Sequence, residues 1–291
     1  FRSVALVGAG NRAREHARAF ADVPGVILAG ICSRTRARAE ALAAELGIPV
    51  VSDSVAELYA TTNARLVVVA VPVLAMNAVS RVCFEYPWTV LLEKPPGYNV
   101  IDAEDIRSAA LENNQRVLVG LNRRFLSSTR AVLTDLADSD SRRFIHVQDQ
   151  QSLAAAALEH PHVVVQNWMY ANSIHVIDYL RLFGRGAVQA VEHVCAWNPF
   201  DPGVVIAKVV FASGDIGLYE GIWRGPGPWA VTVTTDDKRW EMRPLEQAAV
   251  QLAGQRRLEP VPVHAWDQSF KPGFRLQAGQ VVADRKSTRL N

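Results

Sequence analysis

The chain has 291 residues, 49% of them hydrophobic and 21% charged, with a formal net charge of +2. That length suits two domains with a sizeable core, and the near-neutral balance gives no electrostatic case for nucleic acid or a membrane surface as the main partner. No apolar run approaches the roughly 18–20 residues that span a bilayer. Cys32, Cys83 and Cys195 are scattered and read as small buried apolar residues in a reducing, cytoplasmic compartment, neither a disulfide framework nor a metal site.

The opening Phe1–Ala13 is a short apolar strand running into Gly8-x-Gly10-x-x-Ala13, followed by an Ala-rich helical pattern with Ala13, Ala17 and Phe20 on one face. At a strand-to-helix junction this is a dinucleotide fingerprint. Gly8 allows the tight turn, Gly10 lets backbone approach a pyrophosphate, and Ala13 keeps helix and strand close. Asn11 and Arg12 open the helix at the phosphate end. The chain begins inside a strand and without Met, so a missing N-terminal portion is expected.

Strands and helices then alternate. Val26–Cys32 reads as a buried strand and Thr35–Leu46 as an amphipathic helix; Pro49–Ser52 is a short strand, and Ser54-Val-Ala-Glu57 is a capping box opening the next helix. Arg65–Val71 is an apolar strand ending at Pro72, with a helix to about Phe84; Trp88–Leu92, Asp102–Asn113 and Arg116–Gly120 are strand, helix and strand. This calls for a doubly wound parallel sheet, a Rossmann domain over 1–121, with ligands beyond the carboxyl ends of the strands. Those ends carry Gly8–Ala13, Ser33-Arg34, Val71-Pro72 and Glu93-Lys94-Pro95.

The second strand's end reads the adenosine ribose. Ser33 and Arg34 stand where an NAD-specific fold usually has Asp or Glu. A carboxylate there would repel a 2′-phosphate, whereas Ser33 can hydrogen-bond it and Arg34 can pair with it. The expected cofactor is NADP, with NAD as the alternative; Arg36 and Arg38 read as solvated helix residues.

After Gly120 the pattern changes. Arg143–Gln150, Val188–Ala196, Val204–Phe211, Ile216–Trp223 and Trp229–Thr235 read as strands, and Asn172-Ser173 as the cap of a helix over Ile174–Phe183, which Gly184 ends. The expectation is a mostly antiparallel, open-sheet α+β domain over 122–283 for substrate binding and oligomerisation. Asp284–Asn291 resembles translated sequencing-adapter read-through; the alternative is a basic disordered tail, and neither reading gives it a function.

Four features together resemble the Gfo/Idh/MocA (glucose–fructose oxidoreductase/inositol dehydrogenase) family. They are the fingerprint, Leu92-Glu93-Lys94-Pro95-Pro96, Asn122-Arg123-Arg124-Phe125 at the domain crossover, and His175-Val176-Ile177-Asp178. Pro244-Leu-Glu246 and Phe270-Lys-Pro-Gly-Phe274 extend the likeness over most of the chain. The resemblance implies oxidation or reduction of a sugar or nucleotide sugar at a ring carbon, Lys94 as the key catalytic lysine, His175 sharing acid–base work, and sheet-to-sheet dimers or tetramers.

The chemistry asks for the same residue types. Hydride transfer to a ketone leaves an alkoxide that a lysine can stabilise and protonate, and the reverse reaction needs a base. Glu93 beside Lys94 can orient it or pair elsewhere, and Asp178, three residues after His175, can set its tautomer. Arg123, Arg124, Trp168 and Asn172 join Lys94, His175 and Asp178 as candidate substrate contacts, since aromatics stack on sugar faces and arginines bind carboxylates or diphosphates. His160-Pro-His162 reads as a loop rather than a zinc site.

Two departures stand out. Many relatives carry Asp four residues before the histidine, where this chain has Ala171, and a His where it has Met76. Members with Asn-Ser-x-His look like dehydrogenases or reductases of surface-sugar pathways. The absent Asp keeps a second expectation open, a non-catalytic nucleotide sensor on the same fold.

Overall fold

The computed structural model describes residues 3–198 and 200–283; the closing Asp284–Asn291 lies outside the described residues. The chain divides into two units, one running to Asn122 and resuming at Gln268, the other spanning Arg123–Asp267.

In the first unit, strands β1 (Ser3–Val7), β2 (Ile27–Cys32), β3 (Val51–Ser52), β4 (Leu66–Val69), β5 (Thr89–Glu93) and β6 (Val117–Gly120) alternate with helices α1 (Asn11–Ala21), α2 (Arg36–Leu46), α3 (Val55–Thr62), α4 (Met76–Cys83) and α5 (Val100–Glu112). The strands pair in the order β3-β2-β1-β4-β5-β6, all parallel. The order reverses beside β1, the switch point at which doubly wound sheets bind ligands. Successive residues face opposite sides, so Val4, Leu6 and Val68 enter one core while Ala5, Val7, Val67 and Val69 enter the other. The Ser54 hydroxyl accepts from the Glu57 N–H as a capping box requires, but the Glu57 carboxylate reaches back to the Asp53 N–H. Met76 is fully buried in the second core, so this departure from the family pattern serves packing.

The second unit contains α6 (Ser127–Asp135), β7 (Phe144–Gln150), α7 (Leu153–Glu159), α8 (His162–Gln166), α9 (Ile174–Phe183) and strands β8 (Val188–Cys195), β9 (Val204–Phe211), β10 (Ile216–Ile222), β11 (Ala230–Thr234), β12 (Lys238–Met242), β13 (Ala248–Leu252) and β14 (Glu259–Pro260). Their order is β14-β13-β12-β11-β7-β10-β9-β8, antiparallel except for β7 with β10. Along β7 and β10 buried and half-exposed residues alternate, as expected of a sheet with helices on one face only. After α10 (Ala265–Ser269) the chain ends its described course in α11 (Phe274–Ala283).

Three expectations need correction. The second domain does not run to residue 283. Helix α11 belongs to the first unit, where Phe274, Ala278 and Val281 join the core containing Phe20, and the Arg275 guanidinium donates to Asp22 Oδ2 at 2.5 Å. An apolar stripe at helical spacing must find a core, and this one completes the sheet's first face. Asn172-Ser173 does not cap α9; Met169–Ser173 form a wide π-turn running straight into it, with Ser173 itself helical. Cys195 is exposed, because β8 is an edge strand; Cys32 and Cys83 are buried, and burial pushes the Cys83 thiol up to about 12. Among the described residues no helix is long and apolar enough to cross a membrane.

Candidate active site

The nucleotide-binding candidates lie in the first unit. Gly8 follows β1 with φ +112°, and a Cβ built there would stand 2.2 Å from the Ala70 carbonyl oxygen, so only glycine lets the chain pass the end of β4. Gly10 is the N-cap of α1, offers no side-chain cap, and has nothing within 4 Å of where its Cβ would lie. The first turn of α1 carries no acidic residue, and Asn11 and Arg12 are exposed. Uncapped N–H groups, the positive end of an eleven-residue helix and open space over a glycine suit a pyrophosphate. Ala13 is fully buried against the sheet, as close helix–strand packing demands.

At the end of β2, Ser33 is half-buried and Arg34 exposed, so both are accessible to a ligand on that edge. Arg36 is held by Glu40 and Asp53 on the surface, as its reading as a solvated helix residue implied. Val71 packs against the second core and Pro72 is exposed beyond β4.

Glu93 ends β5 and Lys94 follows it. The Glu93 carboxylate is 5% exposed and lies 3.0 Å from His16 Nε2 on the core side of α1. Burial pushes Glu93 up, but the His16 hydrogen bond and the charges of His16, Lys94 and Arg12 outweigh it and hold it below the usual carboxylate range. Glu93 therefore anchors the strand end to the helix that begins the fingerprint, and Lys94 extends from that anchored point, half-buried. His16 was not a sequence candidate; its sign was a histidine three residues after Ala13, on the buried stripe that also holds Ala17 and Phe20.

The histidine candidate lies in the second unit. His175 is in the first turn of α9, 6% exposed, its ring tilted against Trp229 at 5.8 Å between centroids. Arg123 sits over the same indole at 5.7 Å and is ion-paired with Glu246. Its backbone carbonyl accepts from Thr129 Oγ1 at 3.0 Å and from the buried Tyr179 hydroxyl at 3.1 Å. Arg124 and Asp178 form a two-pronged pair at 2.6 and 2.5 Å, so Asp178 holds an arginine. Trp168 and Asn172 both donate to Gln151 Oε1, at 2.8 and 2.7 Å. Of the candidate substrate contacts in this unit, Arg123 and His175 are thus gathered around one aromatic face, while Arg124, Asp178, Trp168 and Asn172 are engaged with the protein. Trp229, Gln151 and Glu246 complete the arrangement and were not site candidates; only the Pro244-Leu-Glu246 motif pointed to one of them.

Residues 2–121 match the family profile GFO_IDH_MocA, described as "Oxidoreductase family, NAD-binding Rossmann fold". No curated protein matches the chain. Among solved structures, UDP-N-acetylglucosamine 3-dehydrogenase GnnA from Acidithiobacillus ferrooxidans is 18% identical, with a TM-score of 0.75 over 97% of this chain and 89% of that one. An NAD-binding oxidoreductase from Klebsiella pneumoniae is 16% identical, with a TM-score of 0.79 over 97% and 88%. Levoglucosan dehydrogenase, solved with NADH and L-sorbose, is 16% identical, with a TM-score of 0.75 over 97% and 90%. These likenesses establish the fold.

Proposed function

We propose that the chain, whose residues 2–121 match the GFO_IDH_MocA family model, is a member of that oxidoreductase family and an NAD(P)-dependent dehydrogenase or reductase acting on a ring carbon of a sugar or nucleotide sugar. The observation that carries the reading is Lys94, extending from the anchored end of β5 in an NAD-binding Rossmann domain. The structural relatives named for sugar and nucleotide-sugar dehydrogenation support catalysis over the sensor alternative.

Gly8, Gly10, Asn11, Arg12 and Ala13 hold the pyrophosphate, with Val71, Pro72 and Lys94 along the same sheet edge; Glu93 acts through Lys94. When bound, the nicotinamide supplies or accepts the hydride. Lys94 donates to the developing alkoxide in reduction and takes the hydroxyl proton in oxidation. His175 shares this work, but Ala171 carries no proton, so the burden falls on Lys94. Trp229 offers the aromatic face on which a pyranose stacks, and Arg123, already neutralised by Glu246, acts as a hydrogen-bond donor beside it. The test is NADPH oxidation with 3-keto and 4-keto nucleotide sugars, and NADP reduction with free pyranoses. A protein that binds nucleotide yet turns over none of them overturns the reading.

Cofactor choice rests on Ser33 and Arg34. NADP(H) binds more tightly than NAD(H), and Arg34→Asp reverses the order by repelling the 2′-phosphate. Fluorescence titration with both nucleotides decides this; equal affinities in the parent protein remove the argument.

The second unit's sheet supports a homodimer, or a tetramer built from it. Ile206, Val210, Ile216, Leu218 and Ile222 are half-exposed on β9 and β10, interrupted by Lys208 and Glu220. Lys208 is paired with Glu192, and Glu220 contacts His146 at 3.1 Å, so these charges are partly satisfied within the sheet. A second copy is the natural cover for such a face. Light scattering at micromolar concentration is expected to give at least twice the chain mass, and a clean monomer mass ends the idea. The two buried, unpaired cysteines suit a cytoplasmic setting.

A further inference from the structure

Asp149 is fully buried at the end of β7, and the proposed chemistry leaves it without a role. Three donors converge on it. Tyr219 Oη and Trp223 Nε1 reach Oδ2 at 2.6 and 2.9 Å, and Gln151 Nε2 reaches Oδ1 at 2.6 Å. This is the complement of an acceptor-only carboxylate. With Asp149 Oδ1 and Ser173 Oγ (3.0 Å) both accepting from its Nε2, Gln151 is forced to turn its Oε1 toward Trp168 Nε1 and Asn172 Nδ2. Trp168, Asn172 and Ser173 belong to or immediately precede the π-turn Met169–Ser173, and His175 lies in the first turn of the α-helix that follows.

A π-turn is a wide and infrequent turn, often found at functional sites. Here the side-chain bonds of Gln151 land on the turn, on Trp168 just before it and on Asp149. We propose that Asp149 and Gln151 are positioning residues: the buried carboxylate sets the orientation of the Gln151 amide, which holds the π-turn and thereby aims His175 across Trp229. The catalytic part of the proposal rests on the function proposed above; the positioning part is read without substrate.

The pairing logic gives the test. Gln151→Glu sets a second carboxylate against Asp149, and the two must share a proton to coexist. Asp149→Asn keeps an oxygen for Tyr219 and Trp223 only by turning its new amide nitrogen against the Gln151 donor. Combining the two changes restores the donor–acceptor match between positions 149 and 151, with Ser173 turning its hydroxyl to donate, and moves the buried charge from one position to the other. The experiment records histidine-labelled NMR spectra of the ligand-free full chain, together with kcat, KM and the pH profile of kcat.

Each single change is expected to shift the His175 resonances and lower kcat at least about tenfold, the scale of a misaimed catalytic group. Nucleotide affinity should stay near that of the parent, and the Gln151→Glu pH profile should be displaced toward acid. The double change should recover the His175 signals and most of kcat. Tyr219→Phe, which removes a single donor and leaves the volume nearly intact, should move the same resonances by less, and it serves if a single change at 149 or 151 does not fold. Single variants with parental His175 signals and kcat overturn the proposal, as does a double variant no better than either. A parent that turns over no sugar while its His175 signals still follow this pattern fails the functional reading and sustains the positioning.

Discussion

Lys94→Met is expected to lower the chemical rate at least about a hundredfold, the low end for losing a positioned acid or base, which corresponds to about 2.7 kcal/mol of transition-state stabilisation. Nucleotide affinity should stay close to that of the parent. The turn that offers N–H groups to the phosphates is built from Gly8, Gly10 and the start of α1, and Glu93 and His16 anchor the β5 end. Methionine keeps most of the aliphatic stem and removes the ammonium, so a loss confined to kcat isolates the proton-carrying role. His175→Asn should cost less, because residue 171, one helical turn before it, is Ala and carries no proton. Stopped-flow nicotinamide absorbance separates the hydride step from binding. A Lys94→Met protein with full turnover removes the mechanism.

Gly8→Ala should abolish nucleotide binding and destabilise the first unit by more than about 3 kcal/mol. Two costs combine. A φ of +112° lies where side chains are rarely accommodated, and the added Cβ would fall 2.2 Å from a backbone oxygen of Ala70 that cannot swing aside. Gly8 N–H also donates to the Cys32 carbonyl at 2.8 Å, so a shift that relieved the clash would loosen β1 from β2. The observable is a fall in Tm of roughly 10 °C, with no NAD(P)H fluorescence enhancement. Gly10→Ala is the control, since a Cβ there meets nothing within 4 Å. It should leave Tm nearly unchanged and weaken nucleotide binding alone. Equal stability loss in the two variants would contradict the geometry.

How much was legible in advance differs between the two units. In the first, each strand is a continuous apolar run and each helix a periodic one, so the alternation shows directly, and the observed bounds differ from the expected ones by a few residues. Strands β12 and β13 escaped notice because Lys238–Met242 and Ala248–Leu252 are short, and their pattern of charged, aromatic and small residues resembles a loop. Helix α11 carried a readable stripe, yet nothing local says that Phe274 belongs with Phe20 rather than with the preceding strands. The Asn172-Ser173 pair looked like a cap because these residue types favour caps. Instead their side chains are engaged by Gln151, and the backbone stays helical through Ser173.

By itself the sequence determined the doubly wound alternation, the glycine turn and the place of Lys94 at a strand end. Those features depend on periodicity, on φ preferences and on residues a few positions apart, all of which are local. Tertiary structure alone decided which groups meet: His16 with Glu93 across 77 positions, Arg124 with Asp178 across 54, and Asp149 with Tyr219 across 70. A buried carboxylate must find donors wherever the fold brings them. Its partners are therefore chosen by sheet register and helix packing, which the order of residues along the chain does not display.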